Sequence, residues 1–203
     1  MYAPKYHRNN NKEEQLGFIR KNSFGMLVSE VGNRPWATHI PFILNDERTK
    51  LTSHISRGNV QWKHFSPEKE VMVAFLGPDA YVSSSWYNHE NVPTWNYMAV
   101  HVYGHLRIIE GGELKASLEQ MMDHFEAGSA HPVSLDKMTP AYVEREVRGI
   151  VAFEITINQI DAVFKLSQNR DKEDYENIIA ELNKKEDGKA RKVAKEMKDR
   201  SPY

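Results

Sequence analysis

The sequence predicts a mainly β protein with helices, of the α+β class, built on a small closed or half-closed antiparallel barrel. Short apolar runs follow one another at hairpin spacing, and turn residues such as Gly32-Asn33 separate them. No glycine-rich strand-to-helix fingerprint is present. Because the strands follow one another directly, a doubly wound parallel sheet is the less favoured arrangement.

The first part of the chain predicts a helix followed by three strands. Asparagines precede an amphipathic stretch over residues 12–22, which is typical of a capped helix. A strand over 24–31 and its hairpin partner over 34–44 flank Gly32-Asn33, and a third strand covers 51–55. Pro41 lacks a backbone donor, so we expect an edge, a bulge or an opening of the ladder there.

The second part of the chain alternates strands with helices. We expect a turn at 77–79 between two strands, and a bend at Gly104 in a long strand. We also expect a barrel domain over 1–170 and a charged helical appendage over 171–203. The predicted strands are 70–76, 80–87, 95–109 and 150–157, and the predicted helices are 59–65, 113–127, 140–147, 171–183 and 188–198.

Composition excludes several classes of function. The chain has 203 residues, of which 40% are hydrophobic and 27% charged, with a formal net charge of −1, so no global positive field favours nucleic acid or anionic membrane. Cysteine is absent, which excludes disulfides and thiolate chemistry and fits a reducing compartment. The N-terminus lacks an apolar signal core, and no apolar run is long enough to span a bilayer. We therefore expect a cytoplasmic protein without membrane contact.

A cluster of polar side chains forms the first candidate site. Thr38-His39-Ile40-Pro41 and the stretch from Thr52 to Asn59 place hydroxyls, imidazoles, a guanidinium and an amide at one end of a hairpin. A helix starts directly after Asn59, and its N–H groups and dipole favour an anion. We interpret Ser56-Arg57-Gly58-Asn59 as a phosphate-binding corner. The alternative is a polar hairpin end that only caps the next helix.

Aromatic residues form the second candidate surface. They occur in Ser83-Ser84-Ser85-Trp86-Tyr87 and in Pro93-Thr94-Trp95-Asn96-Tyr97, with His101 further along. Tryptophan and tyrosine suit a planar heterocycle, so a phosphate corner beside them predicts a phosphorylated ring cofactor. The alternative is that these aromatic residues are simply core or dimer-interface residues.

The sequence gives weaker support for a metal site, a hydrolytic site or a DNA contact. His101 and His105 have the spacing of a helical metal-ligand pair, but four steps along a strand separate them by about 13 Å. His39 and His54 lie on strands expected to pair, yet hydrogen bonding or packing suits them better than metal binding, and we assign no metal ligand. No nucleophile elbow is present. The mixed charges after Lys184 favour a solvated helix over a DNA contact.

Several segments, in order along nearly the whole chain, carry a resemblance to a known family: 1–6, 22–25, 37–41, 53–62, 81–87, 92–97 and 165–169. They resemble the PaiB-type FMN-binding negative transcriptional regulators. That family is similar to the pyridoxamine-phosphate-oxidase-like split barrels. The resemblance implies an FMN-binding antiparallel split β-barrel, a homodimer, and FMN held between the subunits.

The resemblance also implies roles for individual residues. The FMN phosphate would be held by Ser53, His54, Ser56, Arg57 and Asn59, with Trp62 in the same segment, and Thr38, His39, Ile40 and Pro41 would lie along the flavin ring. The partner subunit would supply Trp86, Thr94, Trp95, Asn96 and His101. One departure is that Gly58 and Asn59 stand where the oxidase pattern has a lysine, which leaves Arg57 as the only fixed charge of the corner.

The resemblance implies a cytoplasmic flavin-binding repressor of genes for protease production and sporulation, with DNA as its further partner. The alternatives are an FMN-dependent oxidoreductase acting on a small molecule, and a haem-handling split barrel with a histidine ligand. No catalytic residue is assigned, and whether the protein is an enzyme is left open.

Overall fold

A computed structural model describes residues 1–203 and contains five α-helices and seven strands. The helices are α1 (Lys12–Lys21), α2 (Gly111–Glu126), α3 (Pro140–Arg148), α4 (Lys172–Lys184) and α5 (Gly188–Asp199). The strands are β1 (Phe24–Val31), β2 (Arg34–Pro41), β3 (Ile43–Leu44), β4 (Lys50–Ser56), β5 (Glu70–Val82), β6 (Thr94–Ile109) and β7 (Ile150–Lys165). They form one antiparallel sheet in the order β2-β1-β5-β6-β7-β4-β3, which confirms the predicted fold class.

Local signals explain the first elements. The side chain of Asn11 caps α1 by accepting hydrogen bonds from the N–H groups of Glu13 and Glu14. Gly32 and Asn33 have φ values of 56° and 61°, the left-handed conformation that a two-residue hairpin turn requires. The turn fixes the register of β1 with β2, in which Val31 pairs with Arg34.

The predicted strand over 34–44 is in fact two strands. β2 ends at Pro41 and pairs with β1, whereas β3 pairs with β4. Between them the N–H of Phe42 donates to the carbonyl of Ser23. The expectation that the ladder opens at Pro41 is confirmed.

Another local prediction is wrong. β5 continues through 77–79 without a turn, because Gly77 gives the ring of Phe18 room: a Cβ there would lie 2.7 Å from it. β6 is a long strand as predicted, and Gly104 within it marks a close backbone approach, since its Cβ would lie 2.1 Å from the carbonyl oxygen of Thr156.

The chain divides into two compact units. The central unit comprises residues 23–74 and 102–159. Its core contains an aromatic cluster in which Phe153 contacts Phe42 and Phe65 edge to face, with ring centroids 6.4 and 5.3 Å apart. A smaller apolar cluster joins α2 and α3 to the sheet: Ile109, Leu114, Leu118, Val147 and Ala152.

The terminal unit comprises residues 1–22, 75–101 and 160–203. α4 and α5 pack against each other, and the hydroxyl of Tyr175 donates to the carbonyl of Met197 over 2.7 Å. Both helices bury one apolar face and expose their charges, as amphipathic helices do. The buried apolar side chains are Tyr175, Ile178, Leu182, Ala190, Val193, Ala194 and Met197.

Candidate functional site

The predicted phosphate corner lies where β4 ends. Backbone hydrogen bonds fix it: the N–H of Arg57 donates to the carbonyl of Gly149 over 2.8 Å, and that of Asn59 to the carbonyl of Ser56 over 2.9 Å. The predicted helix then follows as a five-residue 3-10 helix, Val60–His64. Its N-cap is Asn59, whose Oδ1 accepts from the N–H of Gln61 over 3.0 Å. This helix is short and its first turn is already capped, so it adds little charge to the corner.

Arg57 is anchored by the protein while its side chain is exposed. Its Nε donates to the carbonyl of Arg148 and its Nη2 to the carbonyl of Ile150, both over 2.9 Å. Its own carbonyl accepts from Nε1 of Trp62 over 2.9 Å, and the guanidinium lies 5.5 Å from the centroid of that indole ring. These contacts leave Nη1 available to an anion. The structure thus brings the predicted residues Arg57 and Trp62 together.

Thr38 and Asn59, both predicted to contact the ligand, are joined in a side-chain network. Nδ2 of Asn59 donates to the Thr38 hydroxyl over 2.9 Å, and that hydroxyl donates to Oε1 of Gln61 over 2.5 Å. Nε2 of Gln61 in turn donates to the hydroxyl of Ser29 over 2.9 Å. Gln61 is fully buried, so the network links β1, β2 and the 3-10 helix through a satisfied buried amide.

Strand geometry separates the other predicted residues of this region. Ser53 and His54 point to opposite faces of β4, because successive side chains of a strand alternate. Ser53 is buried and its hydroxyl donates to the carbonyl of Pro41 over 2.6 Å. His54 pairs with Ala152, and burial lowers the pKa of His54 below its usual value of 6.5.

The same alternation divides the predicted residues of β2. Ile40 is buried, whereas His39 is exposed and stacks on the ring of Phe24 with centroids 6.4 Å apart. His39 and Pro41 share the outer face of the hairpin with their β1 partners Met26 and Phe24. Apart from His39, these side chains are apolar, and Phe24 is 64% exposed.

The expectation that His39 and His54 lie on paired strands is wrong. β2 pairs with β1, while β4 pairs with β3 and β7. The cause is the break at Pro41, which ends the ladder carrying His39 before the chain reaches the partner of β4. His101 and His105 both lie in β6, a strand as predicted.

The remaining predicted residues belong to the terminal unit, and three of them contact other side chains there. Trp86 lies in a short 3-10 helix, with Nζ of Lys185 5.2 Å from its ring centroid. Thr94 accepts a hydrogen bond from Lys165. Trp95 is 53% exposed and contacts Tyr81 edge to face.

Asn96 and His101 are more enclosed within the terminal unit. Asn96 is fully buried: its Oδ1 accepts from the hydroxyl of Ser167 over 3.0 Å, and its Nδ2 lies 3.5 Å from Sδ of Met197. Both ends of this amide are therefore engaged by the protein. Burial, followed by the N-terminal ammonium, lowers the pKa of His101, and the carboxylate of Asp161 opposes this.

The anchoring partners of the corner were not predicted. Gln61 was assigned no role, and a lone glutamine on a short helix gives no sequence signal of burial. The carbonyls that hold Arg57 lie 91 and 93 residues away along the chain, so only the pairing of β4 with β7 could reveal them.

The corner fits a phosphate group. An exposed, anchored guanidinium offers N–H donors, and the hydroxyl of Ser56, which accepts from the N–H of Gly58 over 3.2 Å, keeps its own hydrogen for a further acceptor. The Thr38 hydroxyl and one amide N–H of Asn59 are engaged in the network, which shapes the corner, and Asn59 retains a second amide N–H. A phosphate here would rest chiefly on Arg57 and Ser56.

Comparison with known proteins identifies a family and relatives, one of which matches over nearly the full length of both chains. The family described as "Putative FMN-binding domain" matches residues 1–159. "Protease synthase and sporulation protein PAI 2" of Bacillus subtilis (strain 168) is 44% identical over 202 residues, covering 98% of both chains. No helix combines the length and the apolar character needed to cross a membrane.

Solved structures share the fold at low sequence identity. The FAD and heme binding protein from Mycobacterium smegmatis superposes with a TM-score of 0.63 at 16% identity, covering 86% of this chain and 80% of that one. The flavocytochrome Anf3 from Azotobacter vinelandii gives 0.61 at 15% identity, covering 86% and 78%. These similarities confirm the predicted antiparallel split β-barrel.

Proposed function

Because the chain belongs to the FMN-binding domain family, whose cofactor is FMN, we propose that it is a homodimeric flavin-binding transcriptional regulator that represses genes of protease production and sporulation. One observation carries this proposal, namely the 44% identity to the PAI 2 protein along 98% of both chains. Identity at this level over the full length makes a shared role the simplest reading. The regulatory role, the repression and the cytoplasmic location are inferences from this relationship.

We assign the FMN phosphate to the corner of the central unit. Arg57 would supply the fixed positive charge, and Ser56 would donate a hydroxyl hydrogen bond. The flavin ring would lie along β2, where His39 and Pro41 share an apolar outer face with Phe24. When bound, the flavin would supply a redox-active planar ring.

The exposed apolar face of the β1–β2 hairpin also supports a homodimer. A side chain such as Phe24, 64% exposed beside further apolar residues, favours a protein partner over solvent. In a dimer the face would be covered, and Trp86 and Trp95 of a second copy would complete the flavin site. Thr94, Asn96 and His101 of that copy belong to the same unit as these two tryptophans.

The proposal is tested on the purified full chain by three measurements. We expect a dimer mass by light scattering, flavin absorption bands with FMN identified by mass spectrometry, and retention of discrete genomic fragments at about 0.15 M salt. Loss of DNA retention at that ionic strength would show that the protein binds DNA only by non-specific charge attraction. Bleaching by NADPH with reoxidation by a small substrate, and no discrete fragment, would instead identify an oxidoreductase. A Soret band would identify a haem protein.

A further inference from the structure

A mixed cluster of histidine and aspartate lies in the terminal unit. His89 is in the loop before β6, Asp171 is the N-cap of α4, and Asp174 lies in the first turn of that helix. One ligand atom from each residue lies within 4.8 Å of the others. We propose that these three side chains bind one divalent transition-metal ion of the Zn²⁺ type.

The first supporting observation is a buried carboxylate oxygen without a hydrogen bond. The side chain of Asp174 is 0% exposed, and its Oδ1 accepts from the N–H of Asn88 over 2.9 Å. Its Oδ2 is buried and accepts no hydrogen bond. A buried carboxylate oxygen left in this state is costly, and a cation would satisfy it.

The second observation is the position of the imidazole. Nδ1 of His89 lies 3.2 Å from Oδ2 of Asp174. In a tetrahedral site with metal–ligand bonds of about 2.0–2.1 Å, two ligand atoms stand about 3.4 Å apart, so this pair already has nearly the spacing that one ion imposes. The same nitrogen also lies 2.9 Å from Oδ1 of Asn88.

The donor set selects the class of ion. One imidazole nitrogen and two carboxylate oxygens suit zinc and its borderline neighbours, whereas thiolate-preferring ions lack a ligand here. Three protein ligands leave a fourth position for water, and the half-exposed His89 side chain gives the ion access from solvent.

The consequence of binding is mechanical. Asp171 and Asp174 belong to α4 and His89 to the loop that leads into β6, so one ion would tie that loop to the start of the helix. The two carboxylates also offset the positive end of the helix dipole, which would otherwise repel a cation. We infer a structural clamp within the terminal unit.

The test uses the untagged full chain, stripped with a chelator, and Zn²⁺ alone as the probe. His89→Gln removes the exposed ligand. Asp171→Asn removes a carboxylate while keeping a good helix cap, so this variant is expected to fold. His131→Gln, which changes another exposed histidine, is the matched control.

We expect one tight equivalent of Zn²⁺ by calorimetry in the parent protein and in the control. Affinity for that equivalent should fall at least about tenfold in both ligand variants, since even outer-shell changes cost 10- to 100-fold. Saturating Zn²⁺ should raise Tm by about 5 °C or more in the parent and the control, and by less in the two ligand variants. Equal affinity in all four proteins, an effect in the His89 variant alone, or no zinc-dependent rise in Tm would overturn the proposal.

Discussion

Replacing Arg57 by alanine tests the assignment of the phosphate corner. Arg57 is the only fixed charge of the corner, and its guanidinium is held by two backbone carbonyls at 2.9 Å. A charge-assisted hydrogen bond to phosphate contributes about 1.5–3 kcal/mol. We therefore expect the alanine variant to bind FMN about 10- to 150-fold more weakly, because each 1.4 kcal/mol is a factor of ten.

The substitution should leave the fold intact. The two bonds that Arg57 makes to carbonyls are exposed, so their loss should cost about 1 kcal/mol or less of the free energy of unfolding. Arg57→Lys keeps the charge but cannot donate to both carbonyls at once, so its affinity should fall between those of the parent and the alanine variant.

Titration followed by flavin fluorescence measures these affinities, with far-UV circular dichroism as the check on folding. Arg34→Ala is the matched control, because it removes one exposed arginine from β2 in the same unit without touching the corner. Raising the salt concentration should weaken FMN binding more in the parent protein than in the alanine variant. Equal FMN affinity in the parent and the alanine variant would exclude Arg57 from the site.

Three further predictions concern stability, each measured by urea denaturation. Gly104→Ala should cost about 3 kcal/mol or more of the free energy of unfolding, since its Cβ would collide with a backbone oxygen. Gly17→Ala in α1, where no neighbouring atom lies within 4 Å, should instead stabilise the protein by about 0.5–1 kcal/mol. Equal effects of the two substitutions would contradict the packing at Gly104. Burial raises the pKa of Tyr175 to about 12, so its contribution to the free energy of unfolding should be fully present below pH 10 and decline as pH rises from 10 toward 12. Tyr175→Phe should lower the free energy of unfolding by about 1 kcal/mol at neutral pH, and its stability should not show that alkaline decline. Burial lowers the pKa of His54, so as pH falls this residue is protonated in the unfolded chain before it is protonated in the folded protein. The free energy of unfolding should therefore decline as pH falls below 6.5. A His54→Gln variant whose free energy of unfolding falls with acid as steeply as that of the parent would refute this.

The elements that the sequence predicted well are those with local causes. The cap at Asn11, the turn at Gly32-Asn33 and the break at Pro41 each act within a few residues, and each lies where it was expected. The 3-10 helix after Asn59 belongs to the same class, because its cap is the residue that precedes it. Such features can be predicted because their energetics do not depend on distant partners.

What the sequence did not predict depends on strand pairing and on packing. Gly77 and Gly104 were interpreted as a turn and a bend, but a phenyl ring and a neighbouring backbone require those glycines. Side-chain alternation alone could have separated Ser53 from His54, whereas the burial of Asn96 depends on Ser167 and Met197 from distant segments. The candidate site was thus predicted as a set of residue types, and the structure shows which of them hydrogen-bond to the rest of the protein.

The hydrogen bonds that anchor Arg57, Thr38 and Asn59 suggest how one positive charge can suffice in the corner. Arg57 is fixed by carbonyls of β7 and of the end of α3. The buried amide of Gln61 fixes Thr38, whose hydroxyl accepts from Asn59, so little side-chain freedom remains to be lost on binding. Preorganisation of this kind recovers part of the affinity that the missing lysine would have supplied, but not the attraction of a second cation. We therefore expect FMN to bind reversibly rather than as a permanently retained cofactor. A regulator whose occupancy must follow the flavin supply needs a dissociation constant near the free concentration of FMN. A corner with one anchored arginine suits that requirement better than it suits an enzyme that keeps its flavin through every turnover.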